Sequence, residues 1–286
     1  MRYNLNGTMV GNGATDWLYD NAPSIPPTIT GMGLVPQPWL DKFEQDGCVY
    51  YFSDDLIPHK GGPECDAQYE KIMNLIGDLN IYDLFRTNLV NISSEGERVA
   101  PSVEDRMRTV NINGQEKTYR RGFTSNEYLW WSNSPLKSDN DIQAEFLTDW
   151  MNLPETRDAL HIGDDAPGWE ECNMDVHAQY KLTLEGSFWI YPVLKAAGIR
   201  MMFYSGETDG AIPTLATKKW IEDLNYDVVQ EWTPWMHGDN QVAGWWERYD
   251  GLDFIIVRGV GHMAPQWAPE AVLNMVNNWM ANTTIG

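Results

Sequence analysis

The C-terminal third of the chain switches regularly between two periods of apolar residues. "IRMMFY", Ile199–Tyr204, and "DFIIVRGV", Asp253–Val260, are short, dense apolar runs that predict buried strands. "LATKKWIEDLN" and "PEAVLNMVNNWMAN" have the helical period. In the second, Val272, Met275, Val276, Trp279 and Met280 form one stripe. "GSFWIYPVLKAAG", Gly186–Gly198, predicts a helix closed by glycine. Strand, helix, strand, helix at this spacing predicts a doubly wound α/β fold.

Further upstream the pattern is looser. "LNGTMV", Leu5–Val10, alternates like a strand and runs into a glycine turn, "GNGATDW". Residues Pro23 to Pro38 are rich in proline and glycine and predict irregular chain. "QPWLDKFEQDG" predicts a short amphipathic helix. Asp66–Phe85 predicts a longer one, capped by Asp66, with Tyr69, Ile72, Met73 and Ile76 on one face. Residues Asn88 to Asn133 are polar and loop-like. Within them Asn113-Gly114, in "VNINGQEKTY", is a hairpin signal. "NDIQAEFLTDWMNL" and "LPETRDALHI" predict two more helices.

Composition narrows the function. The 286 residues carry a net charge of -21, which disfavours nucleic acid as a partner. The acidic surface also suits an acidic or extracellular compartment. No apolar run of about 20 residues encodes a membrane span, and the first residues lack a signal-peptide pattern. Three cysteines are present, with no metal-ligand spacing, so neither a metal nor another cofactor is expected. Cys48 and Cys65 flank an irregular stretch that a disulfide would close in a secreted or lysosomal protein. Sequons fall at Asn6, Asn91 and Asn282. The first lies in the expected strand, where burial would prevent glycosylation.

The candidate chemistry sits just past the two strands. "MMFYSGETDGAIPT" delivers Asp209 and "FIIVRGVGHMAPQ" delivers His262, each within glycines that let the chain turn sharply. Sites in α/β sheets collect beyond the carboxyl ends of the strands. An acid followed by a histidine is the order of the last two triad members in α/β-hydrolases. An acid in a glycine turn also bonds its own backbone, so each residue alone is a weak signal and the pair a stronger one.

These residues carry a resemblance. "YSGETDGAIPTLATKKWIEDLN" resembles the acid motif of the serine carboxypeptidases, the family of cathepsin A and the yeast vacuolar and plant carboxypeptidases. "VRGVGHMAPQWAPEAV" is similar to its histidine motif. "WTPWMHGDNQVAGWWERYDGLDFIIVRG" follows its Trp-rich hairpin, and "MVGNGATDW", "CDAQYEKIMNLIGDLNIYDLF" and "MNLPETRDALHIGDDAPGWEEC" have counterparts in the same order. The resemblance implies an α/β-hydrolase fold with core at 1–20 and 141–286 and a mostly helical insertion at 21–140. It implies Asp209 as triad acid, His262 as triad base, Met263 in the substrate pocket and a structural role for Glu207. A peptide is the implied substrate, a homodimer a further implied partner, and the lysosome, vacuole or cell exterior the implied location. The resemblance implies a cysteine bonded to Cys172 at the position where this chain has Asn88.

The nucleophile of such a triad belongs in a G-x-S-x-G elbow before the acid, and no such pentapeptide occurs. The resemblance places that elbow, the oxyanion segment and the carboxylate-gripping residues upstream of residue 5. The expectation is therefore the C-terminal part of a serine carboxypeptidase, whose serine comes from a further segment or chain. Its three strands would form a narrow sheet with an exposed, aggregation-prone edge. Two other readings share the residues: a non-catalytic homologue that binds or supports, and an acyltransferase of the same family.

Overall fold

The computed structural model describes residues 5–54, 56–87, 107–120, 146–184, 186–238 and 240–285. The chain divides into two compact units. Met1–Ile76, Ile81–Phe85 and Leu182–Gly286 form the first, Gly77–Asn80 and Arg86–Lys181 the second.

The first unit is built on a mixed sheet of β1 (Gly7–Gly11), β4 (Arg200–Gly206), β5 (Val228–His237), β6 (Gln241–Tyr249) and β7 (Leu252–Val257). Their order is β1-β4-β7-β6-β5. β1, β4 and β7 run parallel, and the β5–β6 hairpin continues the sheet antiparallel. Period-two alternation buries both faces of the central strands. Met202, Ile255 and Val257 pack with Val272, Met275 and Trp279 of α9 (Pro269–Met280). Met201, Phe203, Leu252 and Phe254 pack on the other side with Tyr191 of α6 (Ile190–Ala196) and Trp220 and Ile221 of α7 (Thr214–Asp223). There the rings of Tyr191, Phe203 and Trp220 lie 4.8 to 5.3 Å apart. Such offset and edge contacts add to what burial alone contributes.

The structure departs from the expected elements in four places. The sheet is not narrow, because the Trp-rich hairpin widens it from three strands to five. The proline-rich stretch is not all irregular: Ile25–Gly31 forms α1. Its prolines occupy the first turn, where a missing N–H breaks no helical bond. The helix expected over Asp66–Phe85 is α3, Pro63–Met73, which starts after Gly62 and stops early. Residues 81–85 leave the helical path because the loops of the sheet take their backbone groups, as described below. Asn6 is exposed just ahead of β1 rather than buried within it. The helix α2, Gln37–Gln45, lies where expected.

In the second unit, β2 (Met107–Ile112) and β3 (Gln115–Arg120) form the hairpin that the sequence predicts. Asn113 and Gly114 take positive φ values of 49° and 84°, as a two-residue turn of this hand requires. A helical segment at 146–151 leads to α4 (Pro154–Ala159), and α5 (Met174–Gln179) follows. The buried Arg157 guanidinium ties the loop after α4 by donating to the carbonyls of Gly163, Ala166 and Pro167. The start of the helix expected from Asn140, the sequon at Asn91 and Asn88 itself lie outside the described residues.

Candidate active site

β4 and β7 are hydrogen-bonded neighbours, so their carboxyl ends deliver two loops side by side. The apolar runs stop at Ser205-Gly206 and at Val257, and the chain turns at once. The loops approach so closely that a Cβ at Gly206 would lie 2.0 Å from the Gly261 carbonyl oxygen. A Cβ at Gly261 would lie 1.9 Å from that of Tyr82. Both positions therefore demand glycine for space alone.

This approach brings Asp209 and His262 together. His262 Nδ1 lies 2.8 Å from Asp209 Oδ2. The Asp209 side chain is fully buried and that of His262 is 26% exposed. A carboxylate only accepts, so Nδ1 carries the proton and Nε2 is the nitrogen left with a lone pair when the ring is neutral. Asp209 is held by further donors. Ala211 and Ile212 donate their backbone N–H to Oδ1 at 2.8 and 3.1 Å. Asn12 Nδ2 donates to Oδ2 at 2.7 Å.

Burial works against a charge on His262, but the Asp209 hydrogen bond and the Asp209 charge favour it. The balance holds the imidazole above its ordinary value of 6.5. Among titratable neighbours, Tyr82 places its ring 5.5 Å from the His262 ring, tilted by 50°.

Other contacts brace the two loops. Glu207 Oε2 accepts from the Gly259 N–H at 2.9 Å, and Thr208 N donates to the Val260 carbonyl at 3.0 Å. The segment Ile81–Phe85 bridges both. Gly210 N donates to Ile81 O at 2.9 Å, His262 N to Tyr82 O at 2.6 Å, and Leu84 N to Thr208 O at 2.9 Å. Thr208 Oγ1 adds a buried bond to Asp83 Oδ1 at 2.7 Å. Thr214 Oγ1 ties the start of α7 to the Gly206 carbonyl at 3.0 Å.

Of the remaining candidates, one adjoins His262 in the chain and two form a disulfide. Met263 is half-buried, next to His262, and opens α8 (Ala264–Trp267). Cys48 and Cys65 are joined in a disulfide across a separation of 17 residues. Beside it, Val49 and Lys60 exchange two backbone bonds that close the loop. Sequence reasoning missed Asn12, Thr208 and the bracing by Tyr82 and Asp83. The only sequence signal for Asn12 is its place between two glycines at a strand end. Among the described residues no group of three His, Cys, Asp or Glu side chains is placed to hold a metal.

A parallel-stranded core buried on both faces, with loops converging past the carboxyl ends of neighbouring strands, defines an α/β fold of the α/β-hydrolase kind. Of solved structures, the chain is similar to that of Kex1(Δ)p, a prohormone-processing carboxypeptidase from Saccharomyces cerevisiae. The TM-score is 0.59 at 17% identity, over 98% of this chain and 55% of that one. The family model described as serine carboxypeptidase matches residues 1–282, and the chain belongs to that family. It is 27% identical over 303 residues to serine carboxypeptidase 1 of Hordeum vulgare, covering 99% of this chain and 57% of the relative. It is 26% identical over 314 residues to serine carboxypeptidase-like 34 of Arabidopsis thaliana, covering 98% of this chain and 53% of the relative. The chain thus spans a little over half the length of these curated relatives.

Proposed function

We propose that the chain is part of a serine-type carboxypeptidase, in which Asp209 and His262 are the acid and the base that activate a serine on further polypeptide. The observation that carries this is the 2.8 Å bond between a fully buried carboxylate and a partly exposed imidazole at adjacent strand ends. With Nδ1 committed to Asp209, Nε2 takes the proton of the serine hydroxyl as its oxygen attacks the peptide carbonyl. The same proton passes to the nitrogen of the departing C-terminal residue. Water repeats the cycle on the acyl-enzyme, and the serine recovers its proton. The buried negative charge of Asp209 stabilises the imidazolium at both steps. Met263, next in the chain, lines the pocket for the substrate. The two-loop bracing keeps this geometry from drifting, and Glu207 belongs to that bracing rather than to the chemistry.

A vacuolar, lysosomal or extracellular location follows from the same reading. The Cys48–Cys65 disulfide supports an oxidising compartment. One observation favours a second reading: the 286 residues contain no G-x-S-x-G, as a non-catalytic homologue would also show.

The test is release of the C-terminal amino acid from an N-blocked dipeptide by the complete protein, followed by mass spectrometry. Release that disappears in His262→Ala supports the proposal. No release from the wild type, or release that survives in His262→Ala, overturns it. Transfer of the acyl group to an added alcohol in preference to water would instead mark an acyltransferase.

A further inference from the structure

We infer that Asn12 is a positioning residue for the Asp209–His262 pair: its amide anchors the carboxylate oxygen that faces the imidazole and, with the donors on the other oxygen, sets the angle of the carboxylate plane. Asn12 follows the last residue of β1, and its N–H continues the ladder by donating to Tyr204 O at 2.9 Å. Its φ of 48° is left-handed, a conformation that asparagine, aspartate and glycine accept more readily than other residues. The side chain is buried, at 6% exposure, and places Nδ2 2.7 Å from Asp209 Oδ2.

The amide cannot serve in the opposite sense. Rotating it by half a turn would set Oδ1 against a carboxylate, acceptor against acceptor. Among the described residues Asn12 Oδ1 has no hydrogen-bond partner, so no competing bond directs the amide elsewhere. The geometry of Asp209 shows what this contributes. Ala211 and Ile212 hold Oδ1. The two oxygens turn together about the Cβ–Cγ bond, so a donor on Oδ2 other than the imidazole is a second anchor for the same carboxylate plane. Asn12 is that anchor, and it shares Oδ2 with His262 Nδ1. Besides Asp209, the titratable groups in the loops packed around His262 have their own attachments. Tyr82 stacks obliquely on the ring, Asp83 accepts from Thr208, and Glu207 accepts from Gly259.

The inference rests on reading Asp209 and His262 as a functional pair, yet its test does not need peptidase activity. The experiment is NMR of the full chain, following the His262 ring and the side-chain amide of Asn12 as pH changes. Asn12→Gly is the variant of choice, because glycine keeps the left-handed backbone while the side chain, amide included, is removed. In the wild type, one Asn12 Nδ2 proton should lie downfield of ordinary side-chain amides and shift with the same midpoint as His262. In Asn12→Gly, the downfield His262 Nδ1 proton should be lost and the His262 midpoint should fall, since burial then acts with less opposition from Asp209. A His262 midpoint that stays put or rises in a folded Asn12→Gly overturns the inference. If that variant does not fold, the wild-type measurement decides. Asn12 amide protons that are unshifted and indifferent to the His262 titration overturn it equally. Either result leaves the carboxypeptidase assay above unaffected, so the two readings fail separately.

Discussion

Among the described residues of the first unit two carboxylates are fully buried, Asp20 and Asp209, and they are treated in opposite ways. Asp209 collects four donors from three places: Asn12 after β1, His262 beyond β7, and the N–H groups of Ala211 and Ile212 in its own turn. Both of its oxygens are engaged. Asp20 is supplied locally and on one side only. Its Oδ2 accepts from the N–H groups of Thr15 and Asp16, and its Oδ1 has no partner among the described residues. Burial pushes the Asp20 carboxyl up to about 7, the two backbone bonds oppose that, and the charge of Asp16 adds to it. Depth alone therefore does not decide what a buried acid does. The supply of donors does, and strand ends that converge from distant parts of the chain supply more than a single turn can.

The largest effect expected is on the well-supplied acid. Asp209→Asn preserves shape and removes the charge that, in the proposed mechanism, stabilises the imidazolium. Peptide hydrolysis by the complete protein should drop by on the order of 10⁴-fold in kcat, by analogy with the same change in other serine triads. In the chain itself the His262 midpoint should fall, because the contributions that raise it come from Asp209. An Asp209→Asn variant with unchanged kcat and midpoint would put the two acids on an equal footing and break the comparison.

Next comes the poorly supplied acid. Asp20 has a folded-state value above its unfolded one, so its contribution to stability is complete below about 3.8 and lost as pH rises through about 7. His262 has the same sign: its contribution is complete below 6.5 and lost as pH passes its raised folded-state value. The fold should accordingly be more stable in mild acid than at pH 8. Asp20→Asn should flatten that slope. At pH 8 the gain should be roughly 1–3 kcal/mol once the unpartnered amide is set against the removed charge. At pH 3 the change should be neutral or unfavourable. Denaturant melts at the two pH values measure this, and an equal gain at both would show that the charge of Asp20 is not responsible.

Smaller effects should separate the bracing from the pair. Thr208→Val deletes a buried donor to Asp83 and should lower stability by about 1–3 kcal/mol in denaturant melts. Glu207→Ala removes the acceptor for the Gly259 N–H, a more exposed contact, and should lower it by about 1 kcal/mol. If Glu207→Ala instead abolished hydrolysis in a fully stable protein, Glu207 would belong to the chemistry and not to the bracing.

The sequence reading reached the parallel core because its signals are local. Met201 to Phe203 and Phe254 to Val257 are dense apolar runs, and Trp220, Met275 and Trp279 fall on helical stripes. It also brought Asp209 and His262 to the same end of the sheet, since each follows such a run directly. What it could not reach depends on contacts between distant segments. The helix expected to Phe85 ends at Met73, and Ile81–Phe85 instead brace the acid and histidine loops. Nothing in the 3.6-residue pattern of Asp66–Phe85 encodes that competition. Asn12 looked like turn chemistry, and only its placement beside Asp209, 197 residues away, gives it a further part.

The role proposed for Asp209 and His262 is to activate a serine. The most direct test is labelling of the complete protein with a fluorophosphonate, which reacts with an activated serine hydroxyl, compared between the wild type and His262→Ala. The prediction is a single labelled serine in the wild type and a labelling rate at least 10³-fold lower in the variant, as loss of a triad base implies. Equal labelling rates in the two proteins, or no labelled serine in either, would contradict it.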